Sequence, residues 1–161
     1  MTPAVHAAKK SRVPFYLHEY DHEPRAESYG DEAASKLGLD ANRVFKTLIV
    51  ALDTRELVVA VLPVSTQLDL KRLAKVLGTK KAAMADKQEV ERTTGYVLGG
   101  VSPLGQKKRL RTILDASARG CETIYVSAGR RGLQIELAPD DLVSLTGGSF
   151  EAIGRRKVGG R

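Results

Sequence analysis

The 161-residue chain has one cysteine, Cys121, and no tryptophan. A single cysteine excludes an internal disulfide and any multi-cysteine zinc site, leaving a reactive thiol as the only sulfur chemistry open to it. Cys121 stands between Gly120 and Glu122 with no histidine base evident in the sequence, so it reads as a buried or half-buried bystander. No apolar run approaches the roughly 20 residues that a membrane span requires, and no basic-then-apolar leader follows Met1. The expected location is the cytoplasm. Aromatic residues are only 5% of the chain, which disfavours a surface of stacked aromatic platforms for single strands. There is no Gly-x-Ser-x-Gly elbow, and all three histidines lie before residue 23, so no nucleophile and base are placed together by spacing.

What is present is an ordinary globular composition, 42% hydrophobic and 28% charged, at a length that favours one domain with a sizeable core. The net charge is +7, and four of the basic residues, Arg155, Arg156, Lys157 and Arg161, fall in the last eight positions. That segment lacks apolar periodicity, so the chain divides into a domain over 1–153 and a basic flexible tail over 154–161. Excess positive charge suits a polyanion such as RNA, and it equally serves solubility.

Thr2-Pro3 is a cap followed by proline at the first helical position, and predicts a helix to about Arg12. Phe15 to Tyr20 follows as a strand. Asp31 to Leu37 predicts a second helix, stopped by Gly38. Val44 to Ala51 and Leu57 to Leu62 flank a polar turn and predict an antiparallel hairpin. Leu70, Leu73, Ala74 and Leu77 line one face of a helix over Asp69 to Leu77. Asp86 and Glu89 resemble a capping box for a short helix ending near Gly95. Strands are expected at Tyr96 to Leu98, Thr112 to Leu114, Thr123 to Ser127 and Leu133 to Leu137. A helix from Pro139 to Leu145 and a closing strand from Ser149 to Ile153 complete the chain. The interspersion, without strict βαβ alternation, gives an α+β or mixed α/β class around a largely antiparallel sheet.

Candidate chemistry is sparse. His18 and His22 look like a metal pair, but in an extended chain they lie about 13 Å apart, and Pro24 argues against a helix that would join them. No metal site is therefore expected. Gly100-Val101-Ser102-Pro103-Leu104-Gly105-Gln106-Lys107 almost spells a phosphate-binding loop, yet Gln106 and Lys107-Lys108 stand where lysine and then a hydroxyl are required. The Gly99-Gly100 pair survives, either as a place where backbone N–H groups approach a ligand or as a tight turn. Lys46 shares a strand face with Val44, Leu48 and Val50, so its ammonium is directed among aliphatic side chains. Either its stem snorkels to the rim, or the charge meets an anionic or carbonyl ligand in a pocket. Lys107, Lys108 and Arg109 are basic residues suited to phosphate contacts or to a solvated surface.

Several blocks resemble the YbaK family of aminoacyl-tRNA deacylases, relatives of the editing insertion domain of bacterial prolyl-tRNA synthetases. They are Met1 to Val5, Gly30-Asp31-Glu32, Val44 to Leu48, Gln67 to Lys71, Thr94 to Val101, Ser102 to Lys108, Ile124 to Ser127, and Arg131-Gly132-Leu133. The resemblance runs over residues 1–153 and is strongest to free-standing members that hydrolyse cysteinyl-tRNA carrying the proline anticodon. It implies a curved, barrel-like mixed sheet flanked by helices, and an enzyme that uses neither metal nor organic cofactor. It marks Lys46 as the functional hallmark, with Tyr20, Tyr29, Thr47, Gly99 and Ser127 lining the pocket. Tyr29 stands where phenylalanine is common, and Gln134 where some relatives carry aspartate. The implied partners are the acceptor end of a mischarged tRNA(Pro) and, further, prolyl-tRNA synthetase. The implied chemistry is attack of the substrate's own thiol on its carbonyl. Gly99 and Gly100 amides are then expected to hold the oxyanion, Lys46 to anchor the terminal nucleotide, and Lys107, Lys108 and Arg109 to contact tRNA. The competing expectations are a deacylase for another small residue such as alanine, and a non-catalytic tRNA-binding or synthetase-binding module.

Overall fold

A computed structural model of the chain describes residues 1–24 and 29–157. Helix α1 (Pro3–Ser11) begins where Thr2 Oγ1 accepts the Val5 amide at 3.2 Å and ends at Arg12 in the left-handed region. The same Thr2 hydroxyl donates to the Ala128 carbonyl, which ties the start of the chain to the hairpin described below. Strand β1 (Tyr16–Glu19) and helix α2 (Tyr29–Leu37) follow.

The expected hairpin forms from β2 (Phe45–Leu52) and β3 (Leu57–Pro63), with Leu48 opposite Ala60. After β4 (Thr66–Leu68) comes α3 (Leu70–Val76), capped by the Asp69 carboxylate on the Arg72 amide at 3.0 Å. Strand β5 (Ala82–Met84) precedes α4 (Lys87–Thr94). Only half of the expected capping box is made. Asp86 accepts the Glu89 amide at 2.8 Å, while the Glu89 carboxylate turns to Arg92 at 3.9 Å. The remaining elements are β6 (Arg111–Asp115), a 3-10 turn over Ala116–Gly120, β7 (Ile124–Ser127), β8 (Leu133–Leu137), α5 (Pro139–Thr146), β9 (Ser149–Glu151) and β10 (Gly154–Arg156).

The strands form a five-stranded sheet in the order β5-β2-β3-β6-β9, a three-stranded sheet β1-β8-β7, and a pair β10-β4. Pairing is antiparallel except where β6 runs parallel to both β3 and β9, so the class is α+β with mixed sheets. One face of the large sheet, through Phe45, Ile49, Val59 and Val61, packs against Val126, Ile135 and Leu137 of the small sheet and against α1. The opposite face, through Val50, Val58, Ala60 and Leu62, packs on Leu73 of α3 and on Ile153. The two faces of β2 thus bury different cores, as the apolar run from Leu48 to Leu52 requires.

The expected fold class is the observed one, its barrel-like curvature stopping short of closure, and two other expectations are corrected. The sheets do not close into a barrel: among the described residues a single bridge, Val44 to Tyr125, joins the edge of β2 to β7. Tyr96 to Leu98 is a turn. Gly95 ends α4 with φ 82°, Gly99 bends the chain again at φ 93°, and Tyr96 is buried with its hydroxyl on the Leu104 carbonyl at 2.6 Å. Gly154 to Arg156, placed in the tail by composition, pair with Leu68, Gln67 and Thr66. The buried Asp115 carboxylate fixes the entry to this strand by accepting the Ile153 and Gly154 amides at 2.9 and 3.1 Å. Ordering there comes from main-chain pairing, which needs no apolar pattern. The end of the expected tail, 158–161, lies outside the described residues. Among the described residues no helix is long and apolar enough to cross a membrane.

Candidate active site

Strand β5 pairs with β2 only at Val50 to Leu52, so on that side no described strand covers Phe45 to Leu48. A cavity of about 280 Å³ occupies this uncovered edge. Phe45, Lys46, Thr47 and Leu48 form its floor; Tyr20 enters from the end of β1, Tyr29 and Gly30 from α2, Ser127 and Gln134 from the β7–β8 hairpin, and Leu98, Gly99 and Val101 from the loop after α4. Residues separated by over a hundred positions therefore meet where one strand edge is left open. Tyr20, Tyr29, Lys46, Thr47, Gly99, Ser127 and Gln134 line this cavity together.

The Lys46 Nζ donates to the Thr66 carbonyl at 2.6 Å. This partner is neither of the two expected fates: the carbonyl is the protein's own, supplied by a strand too short for periodicity to reveal. Burial lowers its pKa, the Lys157 charge lowers it further, and Asp31 partly offsets both. The ammonium has three donors and the carbonyl takes one.

Two polar atoms on the cavity walls are buried without a hydrogen-bond partner among the described residues, Thr47 Oγ1 and Gln134 Oε1. Gln134 sits in the central strand of the small sheet, opposite His18 on one side and Ser127 on the other. Leaving such atoms unsatisfied costs about 1–3 kcal/mol each, and both belong to residues that line the cavity. Ser127 Oγ already accepts the Gly129 amide at 3.2 Å. Burial raises the Tyr20 phenol, its backbone bond with Gly132 works the other way, and the charge of Glu32 raises it again.

The Tyr29 ring lies over Gly99: a Cβ there would stand 2.5 Å from Cε2 of the ring. Arg131 clamps both, with its guanidinium 4.3 Å from the ring centroid and Nη2 on the Leu98 carbonyl at 2.9 Å. Gly100 is placed differently. Its amide donates to the Val97 carbonyl at 2.9 Å, and its Cα face packs on the Arg130 backbone. Of the two amides expected to face a ligand, that of Gly100 is therefore used by the turn, and Gly100 does not line the cavity.

Behind Tyr29, the His22 ring is 5.9 Å from the tyrosine ring and binds Glu32 through Nδ1 at 2.7 Å. Burial would raise the Glu32 pKa, but the bonds from His22 and the Glu23 amide, with the His22 and Lys36 charges, bring it below the usual carboxylate range. His18 goes elsewhere, to Glu136 at 2.9 Å. The two histidines thus serve separate carboxylates, and among the described residues no group of three ligand-type side chains could hold a metal.

Lys107, Lys108 and Arg109 are not brought to the cavity. The first two hold the Thr94 and Thr93 carbonyls through their amides, and Arg109 lines a different recess with Ala7, Leu104 and Thr146. Reading by residue type misses Gly30, Phe45, Leu48, Leu98 and Val101 as walls, and Arg131 as the clamp. Phe45 and Leu48 are visible only as core-type residues. The role of Arg131 depends on a contact across 33 residues that no local pattern encodes.

Comparison with known proteins bears on the family and the fold. Residues 22–145 match the aminoacyl-tRNA editing domain family. A protein of Enterococcus faecalis named "Putative Cys-tRNA(Pro)/Cys-tRNA(Cys) deacylase EbsC" is 42% identical over 156 residues, covering 94% of this chain and 92% of that one. A proline–tRNA ligase of Pelobacter propionicus is 30% identical over 110 residues, which is 68% of this chain and 19% of the ligase. The solved structure of "a putative trans-editing enzyme for prolyl tRNA synthetase" superposes with a TM-score of 0.82 at 22% identity, covering 96% of this chain and 99% of that one; it bears on the fold alone. With the family match spanning most of the chain and a relative this similar over nearly its full length, the chain belongs to the aminoacyl-tRNA editing domain family.

Proposed function

We propose that this protein is a trans-editing deacylase that releases cysteine from mischarged cysteinyl-tRNA(Pro). The observation that carries the reading is the convergence, around one small cavity, of the Lys46 ammonium, two orphaned buried acceptors on Thr47 and Gln134, and the glycine bend at Gly99. At about 280 Å³ the cavity lies at the lower edge of small-ligand sites, a size for an aminoacyl group and the sugar that carries it. The name of the Enterococcus faecalis relative supports the choice of cysteine.

An aminoacyl ester is already activated, so positioning it and stabilising the developing oxyanion suffice, with no enzymic nucleophile and no cofactor. In this mechanism the cysteinyl thiol sulfur attacks its own carbonyl carbon. A C–S bond forms, the C–O bond to the ribose breaks, and the thiol proton passes to the departing ribose oxygen. The products are free tRNA and a thiolactone that water then opens. The Gly99 amide faces the oxyanion, Thr47 and Gln134 accept hydrogen bonds from the substrate's amino group, and Lys46 anchors the terminal nucleotide.

Deacylation of cysteinyl-tRNA(Pro), cysteinyl-tRNA(Cys), alanyl-tRNA(Pro), seryl-tRNA and prolyl-tRNA(Pro) tests the reading. Cysteine release is expected to exceed alanine release at least tenfold, because alanine lacks the attacking sulfur. Equal release would transfer the assignment to small residues in general, and no release from any of them would reject catalysis.

A further inference from the structure

We propose that strand β10, through Arg155 and Arg156, together with Lys157 just beyond it, is the track for the tRNA acceptor strand as it leaves the cavity, an inference that rests on the deacylase reading. Arg156 is paired directly with Thr66, the residue whose carbonyl holds Lys46 Nζ. Adjacent strands lie about 4.8 Å apart, so the basic strand begins one strand's width from the carbonyl that anchors the cavity's own ammonium. Lys157 follows at once, close enough for its charge to bear on Lys46.

The charges on this strand are available. Arg155 and Arg156 are exposed, and among the described residues neither they nor Lys157 enters an ion pair, whereas Arg43, Arg111 and Arg130 do. The two arginines line a recess of about 470 Å³ with Asn42, Pro63, Ser65 and Thr66. The acid in that recess is Asp115, which is only 6% exposed. Its oxygens are occupied by the Ile153 and Gly154 amides and by the Ser117 amide and hydroxyl. Its charge therefore anchors β10 from beneath and leaves the outer rim basic. An RNA backbone is the polyanion that fits, since a substrate esterified at its 3′ end must emerge next to Lys46 with a phosphate at every nucleotide. Neither the recess of the two arginines nor the one that Arg109 lines shares a residue with the cavity; what ties the former to it is Thr66, whose carbonyl takes the Lys46 ammonium.

The test is binding of deacylated tRNA(Pro) across a salt series, for the wild-type chain and for R155A/R156A/K157A. Every phosphate that the variant no longer neutralises should reduce the slope of log K against log salt by about 0.7–0.9, so the triple variant is expected to lose about 2 in slope and at least tenfold in affinity at 0.1 M salt. The charge-retaining R155K/R156K variant should restore most of both, which a merely structural loss would not allow. An unchanged slope in the triple variant, or a comparable loss in K107A/K108A/R109A instead, overturns the proposal. Failure of the wild-type chain to deacylate any tRNA would sink the deacylase reading alone, because the salt slope decides the RNA track without turnover.

Discussion

The aromatic ring of Tyr29 fills the space that any side chain on Gly99 would need. A Cβ at Gly99 would sit 2.5 and 2.6 Å from two ring carbons and 2.8 Å from Arg131 Nε, in a backbone held at φ 93°. The tyrosine, the glycine bend and the arginine clamp are therefore one packed unit, and the position of the Gly99 amide depends on the ring.

Gly99→Ala is expected to cost at least a hundredfold in kcat/KM for cysteinyl-tRNA(Pro), in the range of losing one oxyanion donor, because relief of the clash moves either the amide or the ring. Left-handed strain adds a stability loss of about 1 kcal/mol, readable in a denaturant melt. Tyr29→Phe keeps the ring and should stay within about threefold of wild type. A fully active alanine variant would show that this bend does not position the reaction.

Lys46→Ala should remove most cysteine release while the chain remains folded, since the side chain is only half-buried and makes one described hydrogen bond. Its pKa lies below the ordinary 10.5, so the ammonium is lost as pH rises and activity falls on an alkaline limb below that value. Lys157 is one cause of the lowering, so Lys157→Ala should move the limb to higher pH. Rates corrected for uncatalysed ester hydrolysis measure this, and an unmoved limb would mean that Lys46 is not the group being titrated.

The alternation in β2 is legible in the sequence: it separates Lys46 from Phe45 and Thr47 correctly, and it raises the question of where an ammonium among aliphatic side chains goes. It cannot name Thr66, because β4 is three residues long and its partner β10 has the composition of a tail. Tyr96 to Leu98 misleads in the opposite direction: β-prone side chains sit between two glycines at positive φ, and backbone geometry overrides propensity there. Of the cavity residues, Lys46 and Gly99 are reached from local pattern, while Tyr20, Tyr29, Thr47, Ser127 and Gln134 are named only through family resemblance. Nothing local foretells that Ser127, Gln134 and Tyr20 meet at the open edge of β2, which exists only because β5 stops at Met84.

Glu32 gives a stability prediction in acid. Its folded pKa is lowered from 4.5, so its contribution is present above the unfolded value and is lost as pH falls through the folded one. Glu32→Gln should flatten the decline of unfolding free energy below pH 4.5 without abolishing it, because Glu136 is lowered as well. Since His22 packs against Tyr29, the variant should also reduce kcat/KM at neutral pH. An identical acid profile in wild type and variant would show that the His22–Glu32 bond carries no linked stability.

The orphaned acceptors predict opposite signs for stability and activity. Thr47 Oγ1 and Gln134 Oε1 are buried without partners among the described residues, a desolvation cost that a substrate donor would relieve. Replacing each by an apolar residue of similar shape, Thr47→Val and Gln134→Leu, removes that cost. Each is expected to leave unfolding free energy unchanged or raised by about 1 kcal/mol, while kcat/KM falls tenfold or more. If these atoms served only the fold, the variants would be destabilised and would keep their turnover. A melt and a deacylation assay on the same two proteins separate the outcomes, because a group held ready for a ligand costs stability in the fold and repays it on binding.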